Sequence, residues 1–191
     1  MKQTIIAVIC FLCVSSLYIQ AQKINHPSLL YTPQRIQQVK QRMQHEPKLQ
    51  EAWGDIKRTA DEALQKKDFN RLDYLSLAYL MTDNKEYADV IKEILLKTVE
   101  AESWGDVEMM ARIPAWRSQL GMAHKSFLSA VGYDAAYNVM SSSERKKIAE
   151  GLKRLAVEPA LGDWLLEPTR IHSLNSMGHN WWTSCVCQGG I

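Results

Sequence analysis

The feature that most constrains the fold is a helical spacing of apolar residues that recurs from residue 33 to residue 155. Apolar side chains return every three or four positions, which places them on one face of an α-helix. No segment shows a convincing alternation of apolar and polar residues with period two, the pattern of a half-buried strand. A last apolar segment, residues 181–186, predicts a further helix. The sequence therefore predicts an all-α protein.

The ends of these helices carry local signals. Thr32-Pro33 predicts an N-cap followed by proline at the first helical position, and Ser141 with Glu144 predicts a capping box. Asp83-Asn84 predicts the tight connection of an αα-hairpin. We expect antiparallel helix hairpins with short connections on one side and long ones on the other. Because no fixed-period repeat of the tetratricopeptide kind is present, a closed α/α toroid is favoured over an open solenoid.

Residues 1–21 predict an export signal. Lys2 is a short positive region, residues 5–17 are apolar, and Ala21 supplies a small residue for cleavage. The apolar run is too short to span a membrane. Cleavage after Ala21 would leave residues 22–191 as the mature part, which we expect in the periplasm or outside the cell.

Composition limits the possible partners. The chain carries 23 Lys and Arg against 21 Asp and Glu, a net charge of +2, whereas nucleic-acid binding usually needs a clustered excess of positive charge. We therefore expect no nucleic-acid partner. Signal cleavage would leave Cys185 and Cys187. Residues two positions apart point to different sides, so we expect no disulfide between them. We expect both to be buried as small apolar side chains. No further metal ligands lie near them, so neither a metal nor a cofactor is predicted.

Two long irregular stretches are candidates for the functional residues, since loops on a rigid scaffold often carry binding and catalytic groups. The first covers residues 103–116, and the second runs from Glu158 to about Gly178. The residues that indicate irregularity are Gly105 and Pro114 in the first stretch and Pro159, Gly162 and Pro168 in the second.

The first stretch combines two tryptophans, Trp104 and Trp116, with Arg112 and Arg117. Aromatic faces stack on sugar rings, and arginine can hold a carboxylate or sulfate through two parallel hydrogen bonds. This mixture suits an acidic carbohydrate, with Trp116, Arg112 and Arg117 as substrate contacts. The alternative is that the tryptophans cover the helical core while the arginines bind local carbonyls or acids.

The second stretch ends in His179, Asn180 and Trp181 at the expected N-terminus of a helix. Free N–H groups and the helix dipole favour an anion there. A His-Asn pair can donate hydrogen bonds to a carboxylate and stabilise extra negative charge on it, which assists removal of a proton from the neighbouring carbon. The alternative is that Asn180 is only an N-cap and that Trp181 belongs to the core.

Three further motifs occur in a fixed order. They are HPSLLYTP at residues 26–33, Tyr133-Asp134 ahead of SSER at 142–145, and GHNWW at 178–182. By themselves, Tyr133, Asp134 and Tyr137 suggest packing and capping near a helix end. Together the three motifs resemble the start of heparinase II/III-family polysaccharide lyases.

The resemblance implies an incomplete α/α toroid that continues into antiparallel β-sheet domains, with the active site in the cleft between them. It implies β-elimination of heparin, heparan sulfate or alginate. His179 or Asn180 would neutralise the uronate carboxylate, with Trp181 as a substrate contact, and the base and acid, Tyr and His, would lie beyond Ile191. Residues 22–191 would then be the N-terminal part of the toroid domain, inactive without the C-terminal domains.

Two other interpretations stay open from the residues alone. An α/α-toroid glycoside hydrolase would need two acids about 5 to 10 Å apart across a cleft, and Glu158, Asp163 and Glu167 are not singled out by their spacing. A helical-repeat module that binds glycans or acts as a scaffold would need no chemistry. An open cleft beside Trp and Arg would favour the lyase.

Overall fold

The computed structural model describes residues 24–166 and 180–189, and this part of the chain is helical without a strand. The predicted all-α class is confirmed. No helix among the described residues is long and apolar enough to cross a membrane. The export signal lies outside the described residues. The helices are α1 Pro33–Met43, α2 Pro47–Lys66, α3 Leu72–Thr82, α4 Lys85–Thr98, α5 Val107–Met110, α6 Leu120–Ala136, α7 Ser142–Leu152 and α8 Asn180–Gly189.

The predicted helix caps form. Thr32 Oγ1 accepts a hydrogen bond from Arg35 N at 3.3 Å at the start of α1. At the start of α7, Ser141 Oγ accepts from Glu144 N at 3.2 Å while Ser141 N donates to Glu144 Oε2 at 2.7 Å. These reciprocal bonds satisfy backbone groups that a helix start leaves without intrahelical partners.

Burial differs between the helices according to their position in the packing. The apolar helix α3 packs against α2, α4 and α6, and α6 packs also against α8. Both α3 and α6 carry buried residues around much of their circumference, as expected of a helix enclosed by others. Because turns connect the successive hairpin helices α2, α3 and α4, these run antiparallel. Closure of the hairpins into a toroid stays a prediction.

The connections differ between the two ends of the hairpins. Residues 44–46, 83–84 and 137–141 make short turns at one end, while 67–71 and the long segment 99–119 lie at the other. We call the second end the loop end. The long connection 99–119 therefore lies at the loop end as expected, whereas 67–71 at the same end has five residues, the same length as 137–141 at the other end.

Glycines permit two close helix contacts. A Cβ added at Gly132 of α6 would lie 3.3 Å from Ile91 Cγ2 of α4. A Cβ added at Gly151 of α7 would lie only 2.4 Å from Val99 Cβ, just after α4. Since side chains this close would collide, α7 approaches the end of α4 only because residue 151 has no side chain.

The prediction that the second irregular stretch begins at Glu158 is wrong, because residues 158–165 are helical. The helix of α7 continues through a π-helical turn, Lys153–Val157, a short α-helical turn, Glu158–Ala160, and a second π-helical turn, Leu161–Leu165. Pro159 lacks the N–H of a regular helical hydrogen bond. The π-helical turns on either side shift the pairing to residues five apart, as in the bond from Leu166 N to Leu161 O at 2.8 Å. The remainder, 167–179, lies outside the described residues.

The segment before α1 is bound to α6 through Asp134, which is 4% exposed. Its carboxylate accepts hydrogen bonds from Ser28 N at 2.9 Å, from Leu29 N at 2.9 Å and from His26 Nδ1 at 2.6 Å. The His26 ring also stacks on Tyr137, with the ring centroids 3.8 Å apart. Asp134 thus anchors a distant segment, where the sequence suggested packing and capping near its own helix end.

Candidate functional site

The first long segment, residues 99–119, is organised by hydrogen bonds among its own polar groups. Asp106 Oδ1 caps α5 by accepting from Glu108 N at 2.9 Å, and Asp106 N donates to Gln119 Oε1 at 3.0 Å. Trp116 N donates to Met109 O at 3.1 Å. Trp104 is 5% exposed, so the core interpretation of this tryptophan is confirmed. These contacts give the segment a defined shape at the loop end.

A buried carboxylate attaches this segment to the helix that continues α7. Asp163 has no exposed surface, and its Oδ2 accepts from Arg117 N at 2.7 Å and from Ser118 N at 2.8 Å. Its Oδ1 accepts from Arg117 Nε and Nη2, both at 3.2 Å. A Cβ added at Gly162 would lie 2.4 Å from Arg117 Nη2, so glycine leaves room for the guanidinium. Arg117, predicted as a substrate contact, is thus held in an internal ion pair.

Three of the predicted substrate contacts lie together. The Arg112 Cζ atom lies 4.9 Å from the centroid of the Trp116 ring, a distance at which a cation is attracted to an aromatic face. Trp116 meets Trp181 edge to face, with centroids 5.7 Å apart and an interplanar angle of 75°. Arg112 is exposed and both tryptophans are half-buried. We call Arg112, Trp116 and Trp181 the Trp/Arg cluster.

Of the two predicted carboxylate-neutralising residues, the structure describes only Asn180, which directly precedes Trp181 of this cluster. Asn180 is the first residue of α8 and is exposed. The helix predicted over residues 181–186 is therefore confirmed, and a helix of this length presents free N–H groups at its beginning. His179 lies outside the described residues.

The two cysteines of α8 have different surroundings. Cys185 is buried and Cys187 is exposed, and neither forms a disulfide. Burial raises the pKa of the Cys185 thiol to about 11. The expectation that both are buried is wrong for Cys187, because residues two positions apart on a helix face different sides. Among the described residues no group of three or more His, Cys, Asp or Glu is suited to hold a metal ion.

An open cleft of about 530 Å³ adjoins the Trp/Arg cluster. We call it the Trp cleft. Trp181, Trp104 and residues 105–109 line it together with the start of α6, including Lys125. The only carboxylate in this lining is that of Asp106, which already caps α5. Lys125 was not among the predicted site residues, since a single lysine on a helix ordinarily marks only a solvated face.

The chain matches no protein-family model, and a search of curated proteins finds no match either. The resemblance to heparinase II/III-family lyases therefore rests on the sequence motifs and stays a prediction. The structure adds that two of those motifs contact each other, since residues 26–29 are bound by Asp134.

Proposed function

We propose that the loop end binds an acidic, uronic-acid-containing polysaccharide and that this exported chain supplies that surface to a polysaccharide lyase. The observation that carries the proposal is the Trp/Arg cluster, which joins residues from two distant segments beside an open cleft. Indole faces suit the apolar faces of sugar rings, and the guanidinium suits a carboxylate or sulfate.

Each residue has a defined role in this proposal. Trp116 and Trp181 hold sugar rings at the cleft, and Arg112 pairs with an acidic substituent. Arg117 is a positioning residue, because its contact with Asp163 holds the segment that carries Trp116.

Asn180 and the free N–H groups of α8 face the carboxylate of the uronate at the point of cleavage. Hydrogen bonds to that carboxylate stabilise the charge that develops when the C5 proton is removed. In β-elimination a base takes this proton, the electron pair forms the C4–C5 double bond, and the bond from C4 to the glycosidic oxygen breaks. An acid protonates the leaving oxygen. Residues other than those of the Trp/Arg cluster supply this base and acid.

A glycoside hydrolase receives less support from the geometry. Asp163 is buried and paired with Arg117, and Glu158 Oε1 lies 3.9 Å from Lys153 Nζ. Glu167 lies outside the described residues. Among the described residues that line the Trp cleft, Asp106 has no second carboxylate opposite it.

Binding and chemistry are tested separately. Residues 22–191 are titrated with alginate and heparin oligosaccharides, and the product of the whole open reading frame is assayed for the absorbance of unsaturated uronate. We expect Arg112→Ala to weaken binding about 10-fold or more, because the variant loses a hydrogen-bonded charge pair with the ligand. The control Arg58→Ala removes an equal charge from an arginine paired with Asp55 on α2 and should bind as the wild type does.

Absence of binding to every acidic oligosaccharide would refute the proposed function. Binding without unsaturated product from the whole protein would refute the lyase and leave the interpretation as a non-catalytic glycan-binding module.

A further inference from the structure

A second open cleft, of about 690 Å³, lies at the loop end between the ends of α2 and α4. Phe69 and Trp104 provide apolar surface within it, and its charged lining is unbalanced. We call it the lysine cleft. Four lysines and one glutamate contribute to its lining: Lys66, Lys67, Lys97, Lys125 and Glu93.

Only one of these lysines is neutralised by a carboxylate of the described residues. Lys67 Nζ lies 2.7 Å from both carboxylate oxygens of Glu93. In the part of the chain that the structure describes, no ion pair within 4.0 Å involves the other three, Lys66, Lys97 and Lys125. Lys147 and, to a smaller extent, Lys97 lower the pKa of Glu100, so Glu93 and Glu100 balance only part of the positive charge of the cleft.

Helix ends explain part of this arrangement. Lys66 is the last residue of α2, and Lys97 lies in the last turn of α4, where a cation is favoured by the helix dipole. That explanation does not apply to Lys125, which lies near the beginning of α6 and is half-buried. Lys125 therefore adds positive charge to the cleft for a reason other than a helix end.

The lysine cleft adjoins the Trp cleft. Trp104 and Lys125 line both of them, and Trp181 lines the Trp cleft alone. A chain molecule that occupies the Trp cleft would therefore extend towards the lysines.

We propose that the lysine cleft binds sulfate or carboxylate groups of the same acidic polysaccharide, several sugar units from the Trp/Arg cluster. This inference rests on the proposed function and extends it to the length and charge of the substrate. Lysine is a compact point charge, suited to substituents whose orientation varies along a flexible glycan. A glycan is favoured over a nucleic acid because the chain's net charge is only +2 and Glu93 interrupts the positive lining.

The test uses two double variants of residues 22–191 with the same change in net charge. The first, Lys66→Gln/Lys97→Gln, neutralises two lysines that line the lysine cleft but not the Trp cleft. The control replaces two lysines near the short-turn end, where α2 and α4 begin. It is Lys48→Gln/Lys85→Gln.

Calorimetric titrations use a heparin-derived tetrasaccharide and a dodecasaccharide at two salt concentrations. We expect the cleft variant to bind the dodecasaccharide at least 10-fold more weakly than the wild type does, with a shallower salt dependence because fewer counterions are released. Its affinity for the tetrasaccharide, which spans only the Trp/Arg cluster, should stay within 2-fold, and the control should match the wild type with both ligands.

The outcomes separate the two proposals. If the wild type binds neither oligosaccharide, the proposed function fails. Suppose that the wild type binds both oligosaccharides. If the cleft variant then binds the dodecasaccharide as the wild type does, or if the control loses as much affinity as the cleft variant, the proposal for the lysine cleft is refuted and the proposed function is not. Equal affinity for a single-stranded DNA oligonucleotide of matched charge would overturn the assignment to a glycan.

Discussion

Replacement of Asp163 by alanine tests the contact that holds the site together. Asp163→Ala removes the acceptor of two backbone N–H groups, at 2.7 and 2.8 Å, and of two guanidinium nitrogens, both at 3.2 Å. The N–H of Ser118 would then be buried without this partner, and Arg117 would lose its carboxylate. Both effects act on the segment that carries Trp116.

The magnitude follows from burial. Removing one partner of a fully buried, hydrogen-bonded ion pair costs about 3–5 kcal/mol. Because 34% of the Arg117 side chain is exposed, we expect the lower end of that range, about 3 kcal/mol. For a domain of this size 1 kcal/mol shifts the melting temperature by about 2–4 °C, so we expect a decrease of roughly 6–12 °C.

Asp55→Ala is the matched control. Asp55 Oδ1 lies 3.1 Å from Arg58 Nη2, nearly the distance found in the Asp163 pair, but the side chains of this pair are 71% and 65% exposed. An exposed pair of this kind contributes about 0–1 kcal/mol. The two variants therefore differ in burial and in the two backbone N–H groups that Asp163 accepts from.

Urea unfolding, followed by circular dichroism, gives both free energies, and tryptophan emission reports the surroundings of Trp116 and Trp181. Adding Arg117→Ala to Asp163→Ala should restore part of the lost stability, because no unpaired charge is left. An Asp163→Ala variant within 1 kcal/mol of the wild type would refute the assignment of Asp163 as the residue that anchors the segment.

Four further results are expected. Gly151→Ala should lower the free energy of unfolding by about 1–3 kcal/mol, since its Cβ would lie 2.4 Å from a valine atom. Ser141→Ala should cost about 1 kcal/mol by removing an N-cap. The hydrogen bond from the Ser141 N–H lowers the pKa of the Glu144 carboxyl below 4.5. At neutral pH the Glu144→Gln variant should therefore be less stable than the wild type. This difference in stability should disappear as the pH falls through the lowered pKa, because the wild-type carboxyl then becomes protonated. At pH 8 a thiol reagent should modify exposed Cys187 quickly and Cys185, whose pKa is about 11, only on unfolding.

Each of these results has a control or a contradicting outcome. Gly54→Ala, whose Cβ would meet nothing within 4 Å, should stabilise α2 by roughly 0.5–1 kcal/mol. If both glycine variants behave alike, the close contact of α7 with the end of α4 is wrong. A constant difference between wild type and Glu144→Gln from pH 7 to pH 2 would contradict the linkage. Equal labelling rates for both cysteines would contradict their different burial.

Features that depend on neighbouring residues were predictable from the sequence. The cap at Thr32 and the capping box of Ser141 and Glu144 form because their partners are three positions away. The helix start at Asn180 is likewise a local feature. The prediction of an irregular segment at Pro159 was wrong. Proline is disfavoured inside a helix, but here π-helical turns on both sides accommodate it.

Features made by distant segments were not predictable. Asp134 binds residues more than 100 positions earlier, and Asp163 binds Arg117 from another element. A single carboxylate carries no signal of such a partner in its own neighbourhood. The same reason hides the lysine cleft, because Lys66, Lys97 and Lys125 come from three helices.

The central claim is that the Trp/Arg cluster recognises the carboxylates of a uronic-acid polysaccharide. The most direct measurement is a pair of calorimetric titrations of residues 22–191, one with an alginate oligosaccharide and one with the same oligosaccharide after reduction of its carboxyl groups. We predict binding of the acidic form, weakened at least 10-fold by reduction and equally weakened by Arg112→Ala. Equal affinity for the two forms would contradict the central claim. The claim would also be contradicted if Arg112→Ala left the binding of the acidic form unchanged.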